Sequence, residues 1–309
     1  MKKLLRKILF GNIPVSEYCT VTVDGEIKEK VFLVTGSISL DISGVHWLLC
    51  LNPIVFGIWF KDNAQSLPLE ENNICEMHFT DGAARPETVA VLKLVVRDRL
   101  KESDGTLVLV ELKEAAVHHI PFIKSLILYY KYYKKPEQDY KKLKSYSAAY
   151  SYPRRVRVVS FREGNWFNIF PMDLVGDIPS SQRYVFGLRH SNVTLNRIIE
   201  TKKICVSEIP FDYKSIIYQL GKHHREPLSE SILPFETIPS ENFGFPIPIW
   251  ANRYKEIRIV RTMNLGSHML LWGEEVHEKY LHETQGHLFH IHFLHYLHQR
   301  RKGLDYPLI

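Results

Sequence analysis

Residues 182–200, QRYVFGLRHSNVTLNRIIE, bring a guanidinium, an imidazole and two hydroxyls to the point where a strand pattern gives way to a helix pattern. Backbone N–H groups are free at a helix start, and the helix dipole favours negative charge there. Arg189 can add a bidentate fork, His190 and Asn192 further polar groups, and Ser191 and Thr194 hydroxyls. The chemistry in prospect is capture of a phosphate or another anion. The alternative is plain capping of a helix over residues 191–202 by Ser191 or Asn192, beside a solvated arginine.

The chain holds a second version of this phrase without its polar letters. VFGIWFKDN at residues 55–63 matches VFGLRHSNV at residues 185–193, and Ile74-Cys75 and Ile204-Cys205 keep the same offset. Trp59 and Phe60 stand where Arg189 and His190 stand in the later copy. Asp62 would repel a phosphate, and Pro68 interrupts the expected helix. Residues 105–111 face 266–272, and residues 46–49 face 165–168 if the later copy has extra residues near 174–184. The pattern predicts a duplicated unit, residues 1–150 and 151–309, packed about a pseudo-twofold axis with one working site and one lapsed site.

Strand patterns dominate the elements that must position these residues. CTVTVDGEIKEKVFLVTGSISL alternates about a turn at Asp24-Gly25, and TVAVLKLVVRD, GTLVLVELKEAAV, RRVRVVSF, KEIRIVRT and SHMLLWGEEV have strand character. Helices are few, and residues 191–202 and 212–222 have helical spacing. The fold expected is mainly β: tandem small antiparallel barrels with a few short helices, a pseudo-dimer in one chain. Residues 131–155, rich in Lys and Tyr, read as a helical or extended, solvated connector. In GHLFHIHFLHYLHQRR neither helical nor strand spacing yields a clean ligand face, so the histidines are expected to pack and no metal is expected.

Bulk properties narrow the partners. A net charge of +6 over 309 residues permits anionic ligands but falls short of a nucleic-acid-binding balance. Cys19, Cys50, Cys75 and Cys205 form no CxxC pair and read as buried thiols. The opening MKKLLRKILFG reads as a basic amphipathic turn or two, because Arg6 and Lys7 interrupt any export-signal core. No run approaches the roughly 20 apolar residues of a membrane span. No nucleic-acid or membrane partner is expected, and the expected location is the cytoplasm.

From about residue 154 to 276 the chain resembles the flavin reductase-like, FMN-binding split-barrel family. The landmarks are a first strand, the segment 168–174, the Arg-x-Ser-x-x-Thr turn at Arg189, Ser191 and Thr194, the phrase at 204–209, and Gly266-Ser267-His268 followed by Gly273-Glu274-Glu275-Val276. The resemblance implies a Greek-key split barrel that binds FMN without a covalent link at a dimer interface, with NAD(P)H as hydride donor. By it, Asn168, Phe170, Pro171, Met172, Asp173 and Leu174 line the isoalloxazine. Arg189, His190, Ser191, Asn192 and Thr194 hold the phosphate and ribityl chain, and Lys222 is a further phosphate candidate. His268 lies near the flavin or nicotinamide, and Asp173 is a candidate proton donor or acceptor, or else a turn former. The chain departs from the family in Pro179-Ser180-Ser181 for a double proline and in Ser267 for an Asp, and Leu107 stands at the position of His268 in the first copy. Two other readings remain: a flavin-binding or sensing module without turnover, and a structural barrel that has lost its cofactor. The chain is a monomeric pseudo-dimer or pairs again as a homodimer.

Overall fold

The computed structural model describes residues 16–23, 26–61, 69–134, 139–179, 181–228, 233–283, 286–303 and 306. The first half runs β1 (Tyr18–Val23), β2 (Lys30–Thr35), β3 (Ile38–Asp41), β4 (His46–Leu51), β5 (Ile54–Lys61), β6 (Ile74–Thr80), β7 (Thr88–Glu102) and β8 (Gly105–Val117). Then come α1 (Phe122–Leu128), a π turn at Tyr129–Tyr133 and α2 (Tyr140–Ala149). The second half runs β9 (Arg154–Arg155), β10 (Arg157–Glu163), β11 (Trp166–Met172), β12 (Val175–Ile178), β13 (Arg183–Arg189), α3 (Leu195–Thr201), β14 (Lys203–Glu208) and α4 (Lys214–Gln219). A 3-10 turn at Leu220–His224 follows, then β15 (Thr237–Pro239), β16 (Pro246–Pro248), β17 (Arg253–Asn264), β18 (His268–Tyr280), β19 (His287–His292) and α5 (Phe293–Arg301).

Two seven-stranded antiparallel sheets carry the fold, in the orders β3-β2-β6-β7-β8-β5-β4 and β11-β10-β14-β17-β18-β13-β12. Counted along the chain, both sheets place their own second, first, fifth, sixth, seventh, fourth and third strands side by side. The registers agree as well: Trp59 pairs with Leu107, and Arg189 pairs with His268. Both long hairpins, β7–β8 and β17–β18, carry two register shifts, which bend and twist the paired strands. The mainly β fold with few short helices is as the sequence predicts. One correspondence is corrected: strand order matches residues 46–51 to β12, whereas residues 165–168 enter β11, the counterpart of β3. Local Trp-apolar similarity had suggested otherwise, but pairing partners decide strand identity.

The halves interlock. β1 does not turn back onto β2; it pairs along its whole length with β19, and β9 pairs on the other side of β19. Asp24 and Gly25, where a turn was expected, lie outside the described residues, as do residues 1–11, Asp62 and Pro68. β4 packs on β12, β13 and β18 of the other half. There Leu49, Val55, Trp59, Leu107 and Leu109 share an apolar cluster with Ile178, Val185, Leu270 and Trp272. The approach is close: a Cβ on Gly187 would lie 1.9 Å from the Leu49 carbonyl oxygen, and Gly266 adopts φ +123 with the Asn52 carbonyl beside it.

The connector is not solvated. In α2, Leu143, Ser147, Ala148 and Ala149 are buried, and Asp139 caps the helix by accepting from the Lys142 N–H at 2.6 Å. Its lysines face outward while a small-residue stripe packs against β8. All four cysteines are buried and free.

Candidate functional site

A cavity of about 530 Å³ opens at the end of β13. One wall is the run Pro171, Met172, Asp173 and Leu174, where β11 ends and the chain turns into β12. Gly187, Leu188, Arg189 and Ser191 form a second wall, His268 sits at the start of β18, and Leu51 of the first half closes one side. The turn after α4 adds Gly221, Lys222, His224, Arg225 and Glu226, and Tyr150 reaches in from the end of α2. A space of this size lies in the range of small-molecule sites.

His268 pairs with Arg189 across the strands and is 2 % exposed. Burial, then the charges of Arg189 and His190, push its imidazole down to about 4, so the ring is neutral at neutral pH. Ser267 Oγ lies 2.8 Å from His268 Nδ1 and accepts from the Asn52 N–H at 3.0 Å. With the Ser267 hydroxyl donating to Nδ1, the ring proton rests on Nε2, a neutral donor beside the cavity. Ser267 thus holds the His268 ring in place and, through the Asn52 N–H, ties the halves together.

Asp173 is a held carboxylate. Burial raises its pKa, but the hydrogen bond and charge of His290, the charge of Arg154 and a bond from Tyr150 outweigh burial and hold it below the usual range. His290 Nδ1 lies 3.0 Å from Asp173 Oδ2, and its Nε2 meets the Tyr218 hydroxyl. Arg154 is buried behind this group, donating from Nη2 to the Ala149 carbonyl at 2.6 Å.

Arg189, Ser191, Lys222 and Arg225 are exposed at the cavity, and their side chains make no hydrogen bond or ion pair among the described residues. They are the cations and hydroxyl free to meet an anion. His224 is fixed instead: burial lowers its pKa, its Nε2–H donates to the Pro171 carbonyl at 2.8 Å, and Nδ1 accepts from Asn192 Nδ2 at 2.9 Å.

Of the residues singled out from sequence, Pro171, Met172, Asp173, Leu174, Arg189, Ser191, Lys222 and His268 meet at this cavity. Five do not line it. Asn168 is fully buried, its Nδ2 donating to Thr194 Oγ1 at 2.9 Å and to the His223 carbonyl at 2.7 Å. Thr194 is fully buried too, and Asn192 accepts its N–H at 2.8 Å. These three lock the β13–α3 turn to β11 rather than face a ligand. Phe170 is core, its ring 4.8 Å from that of His224. His190 points to Asn264 Oδ1 at 3.2 Å. The helix begins at Leu195, not Ser191, and has only seven residues, so side chains rather than a helix terminus supply the charge. Tyr150, His224, Arg225 and Glu226 were missed. LGKHHRE held the only signal for the last three, and nothing local announced Tyr150.

The equivalent place in the first half is filled. Trp59 and Leu107, at the positions of Arg189 and His268, are 3 % and 0 % exposed, and Trp59 packs on Trp272 with ring centroids 6.0 Å apart. Three of the C-terminal histidines are buried away from the cavity. His292 accepts the Leu294 N–H, His295 Nε2 is 3.1 Å from Glu29, and His298 Nε2 is 2.8 Å from Asp81. Asp81, Glu87 and His298 bring donor atoms within 4.8 Å of one another, and Lys302 already pairs with Glu87.

Fold and site together define a paired antiparallel β-sheet protein with an anion-ready cavity on one half. No family model matches the chain, and no curated protein does. Solved structures similar to part of it are FMN-binding proteins and flavin reductases. They include an FMN-binding protein from Thermus thermophilus with bound p-hydroxybenzaldehyde, at 20% identity and TM-score 0.38 over 42% of this chain and 73% of that one. The NADH:FAD oxidoreductase SgcE6 of Streptomyces globisporus gives 16% identity and TM-score 0.44 over 51% and 93%. BorF, the flavin reductase component of a bacterial two-component tryptophan halogenase, gives 12% and 0.43 over 53% and 94%. Each likeness is distant, and the functional reading below stands on the cavity.

Proposed function

We propose that the cavity binds FMN and that the protein is an NAD(P)H-dependent oxidoreductase of the flavin reductase type. The observation that carries this is the convergence at one cavity of unpaired Arg189, Lys222 and Arg225 with the apolar run Pro171, Met172 and Leu174 and a neutral histidine. A planar, mostly apolar ring with a phosphate tail needs that combination of walls and cations. Arg189, Lys222, Arg225 and Ser191 would hold the phosphate, and Leu51, Met172 and Leu174 would pack the ring. His268 would present its Nε2–H as a hydrogen-bond donor that adds no charge. Asp173, held as a carboxylate by His290 and Tyr150, would accept a hydrogen bond at the polar edge. A flavin held there would supply the redox chemistry, hydride and electron transfer between a nicotinamide and a small acceptor.

In this reading the chain is an internal duplication, residues 1–150 and 151–309, in which the first half closes the site of the second. Buried Trp59 and Leu107 support one flavin per chain. A flavin-binding module without turnover is the second reading; the hydrogen-bonded Asp173 favours it, because a carboxyl held below its usual range is not poised to give a proton. Anaerobic addition of NADH to the FMN-loaded protein separates the two. Bleaching of the flavin absorbance, with recovery in air, supports the reductase, whereas unchanged flavin colour supports the binding module. A protein that stays colourless after FMN titration and dialysis contradicts both.

A further inference from the structure

We propose that the outward face of α1 and of the π turn after it docks on an anionic lipid surface. The helix is apolar on two sides. Its inner side, with Ser125, Leu128, Tyr129 and Tyr133, is buried. On the outer side Phe122 is 65 %, Ile123 71 % and Tyr130 62 % exposed. Ile123, Ile127 and Tyr130 follow helical spacing, so these side chains form a stripe rather than scattered single residues. A surface helix ordinarily turns a polar face outward, and a contiguous exposed apolar patch marks a partner or a membrane.

Charge selects the partner. Residues 118–134 contain Lys124, Lys131 and Lys134 and no acid, and α2 adds Lys141, Lys142 and Lys144 against the single Asp139 at its cap. Lys134 lies over the Tyr130 ring at 5.4 Å, keeping charge and aromatic surface together. Tyr133 donates its hydroxyl to the Ser16 carbonyl, so the chain enters the described structure beside this turn. The stretch from residue 118 to 149 holds seven lysines against two acids in a chain whose total is only +6. Exposed aromatic and aliphatic side chains flanked by lysines are the composition of helices that lie in a lipid interface, and each nearby Lys or Arg adds attraction to anionic headgroups.

The same end of the molecule offers a place for a headgroup. A cavity of about 730 Å³ is lined by Phe122, Ser125, Tyr140, Lys144 and Arg301 among others; its one carboxylate, Glu87, is already paired with Lys302. Arg301 and Lys144 provide cations suited to a lipid phosphate beside the exposed Phe122. This surface departs from the expectation of no membrane partner. It needs no spanning segment, and no helix among the described residues is long and apolar enough to be one.

Sedimentation of the full chain with vesicles tests the proposal. Binding is expected to phosphatidylcholine vesicles containing phosphatidylserine, not to phosphatidylcholine alone, and to weaken as salt rises. The double variant Phe122→Glu/Ile123→Glu alters exposed side chains only. It should keep the wild-type melting temperature yet bind at least roughly tenfold more weakly. Arg301→Glu should reduce the preference for the anionic vesicles. Absence of binding to anionic vesicles, undiminished binding by the double variant, or retention on single-stranded nucleic acid in place of vesicles would each overturn the proposal. An unchanged preference in Arg301→Glu would remove the cavity's headgroup role.

Discussion

Arg189→Glu isolates the phosphate interaction with little disturbance to the fold. Arg189 ends β13 exposed at the cavity, and its side chain has no hydrogen bond or ion pair among the described residues. Unfolding free energy should therefore stay within about 0.5 kcal/mol of wild type. Binding should not. Loss of a charge-assisted bond to a phosphate costs about 1.5–3 kcal/mol, and a carboxylate facing that phosphate at an exposed rim adds on the order of 1 kcal/mol of repulsion. The sum, about 2.5–4 kcal/mol, is a roughly 60- to 700-fold loss of FMN affinity. Quenching of FMN fluorescence at low ionic strength measures it, since salt would screen the repulsion. A second readout needs no flavin. The charge of Arg189, after burial, helps to push His268 down to about 4, so an NMR titration of the variant should find His268 titrating higher. An FMN affinity within threefold of wild type, alongside the expected His268 shift, would refute the phosphate role while upholding the geometry.

Three further changes probe the scaffold. Gly187→Ala would set a Cβ against the Leu49 carbonyl and should destabilise the fold by about 3 kcal/mol or more; an unchanged thermal midpoint contradicts the close packing of the halves. Trp59→Ala empties a buried site packed on Trp272 and should cost about 3–5 kcal/mol in denaturant unfolding, with no gain of a second flavin site. Burial raises the pKa of Glu208, but the Arg253 hydrogen bond and the charges of Arg157, Arg155 and Arg253 overcome it and hold the carboxyl down to about 2, against an ordinary 4.5. A lowered carboxyl stabilises the fold above its unfolded value and loses that contribution as pH falls through its folded value. Glu208→Gln should thus remove up to about 3 kcal/mol at neutral pH and flatten the loss of stability between about pH 4.5 and 2.

The repeated strand phrase was legible because β5 and β13 are buried and pair with strands in equivalent places, so both phrases carry the same apolar letters. Their divergence at Trp59 and Arg189 located the cavity for the same reason: one register serves both halves. Pairing of β1 with β19 was not legible. Alternation predicts a strand but carries no address, and the partners lie some 270 residues apart. The burial of α2 was hidden by its lysines, although Leu143, Ala148 and Ala149 mark a small apolar stripe. Asn168 and Thr194 look like ligand contacts in sequence because a buried polar side chain that locks a turn has the same chemistry as one that binds. Tyr150 and Leu51 reach the cavity from the other half and the connector, which only the tertiary arrangement brings near.

The central claim is one flavin site per chain, built in the second half and closed by the first. Equilibrium dialysis of the purified full chain against FMN, with flavin read by absorbance and protein by amino-acid analysis, measures it directly. Saturation at one FMN per chain, abolished at the same concentration by Arg189→Glu, is the result expected. Saturation at two per chain, or no retained flavin at all, contradicts it.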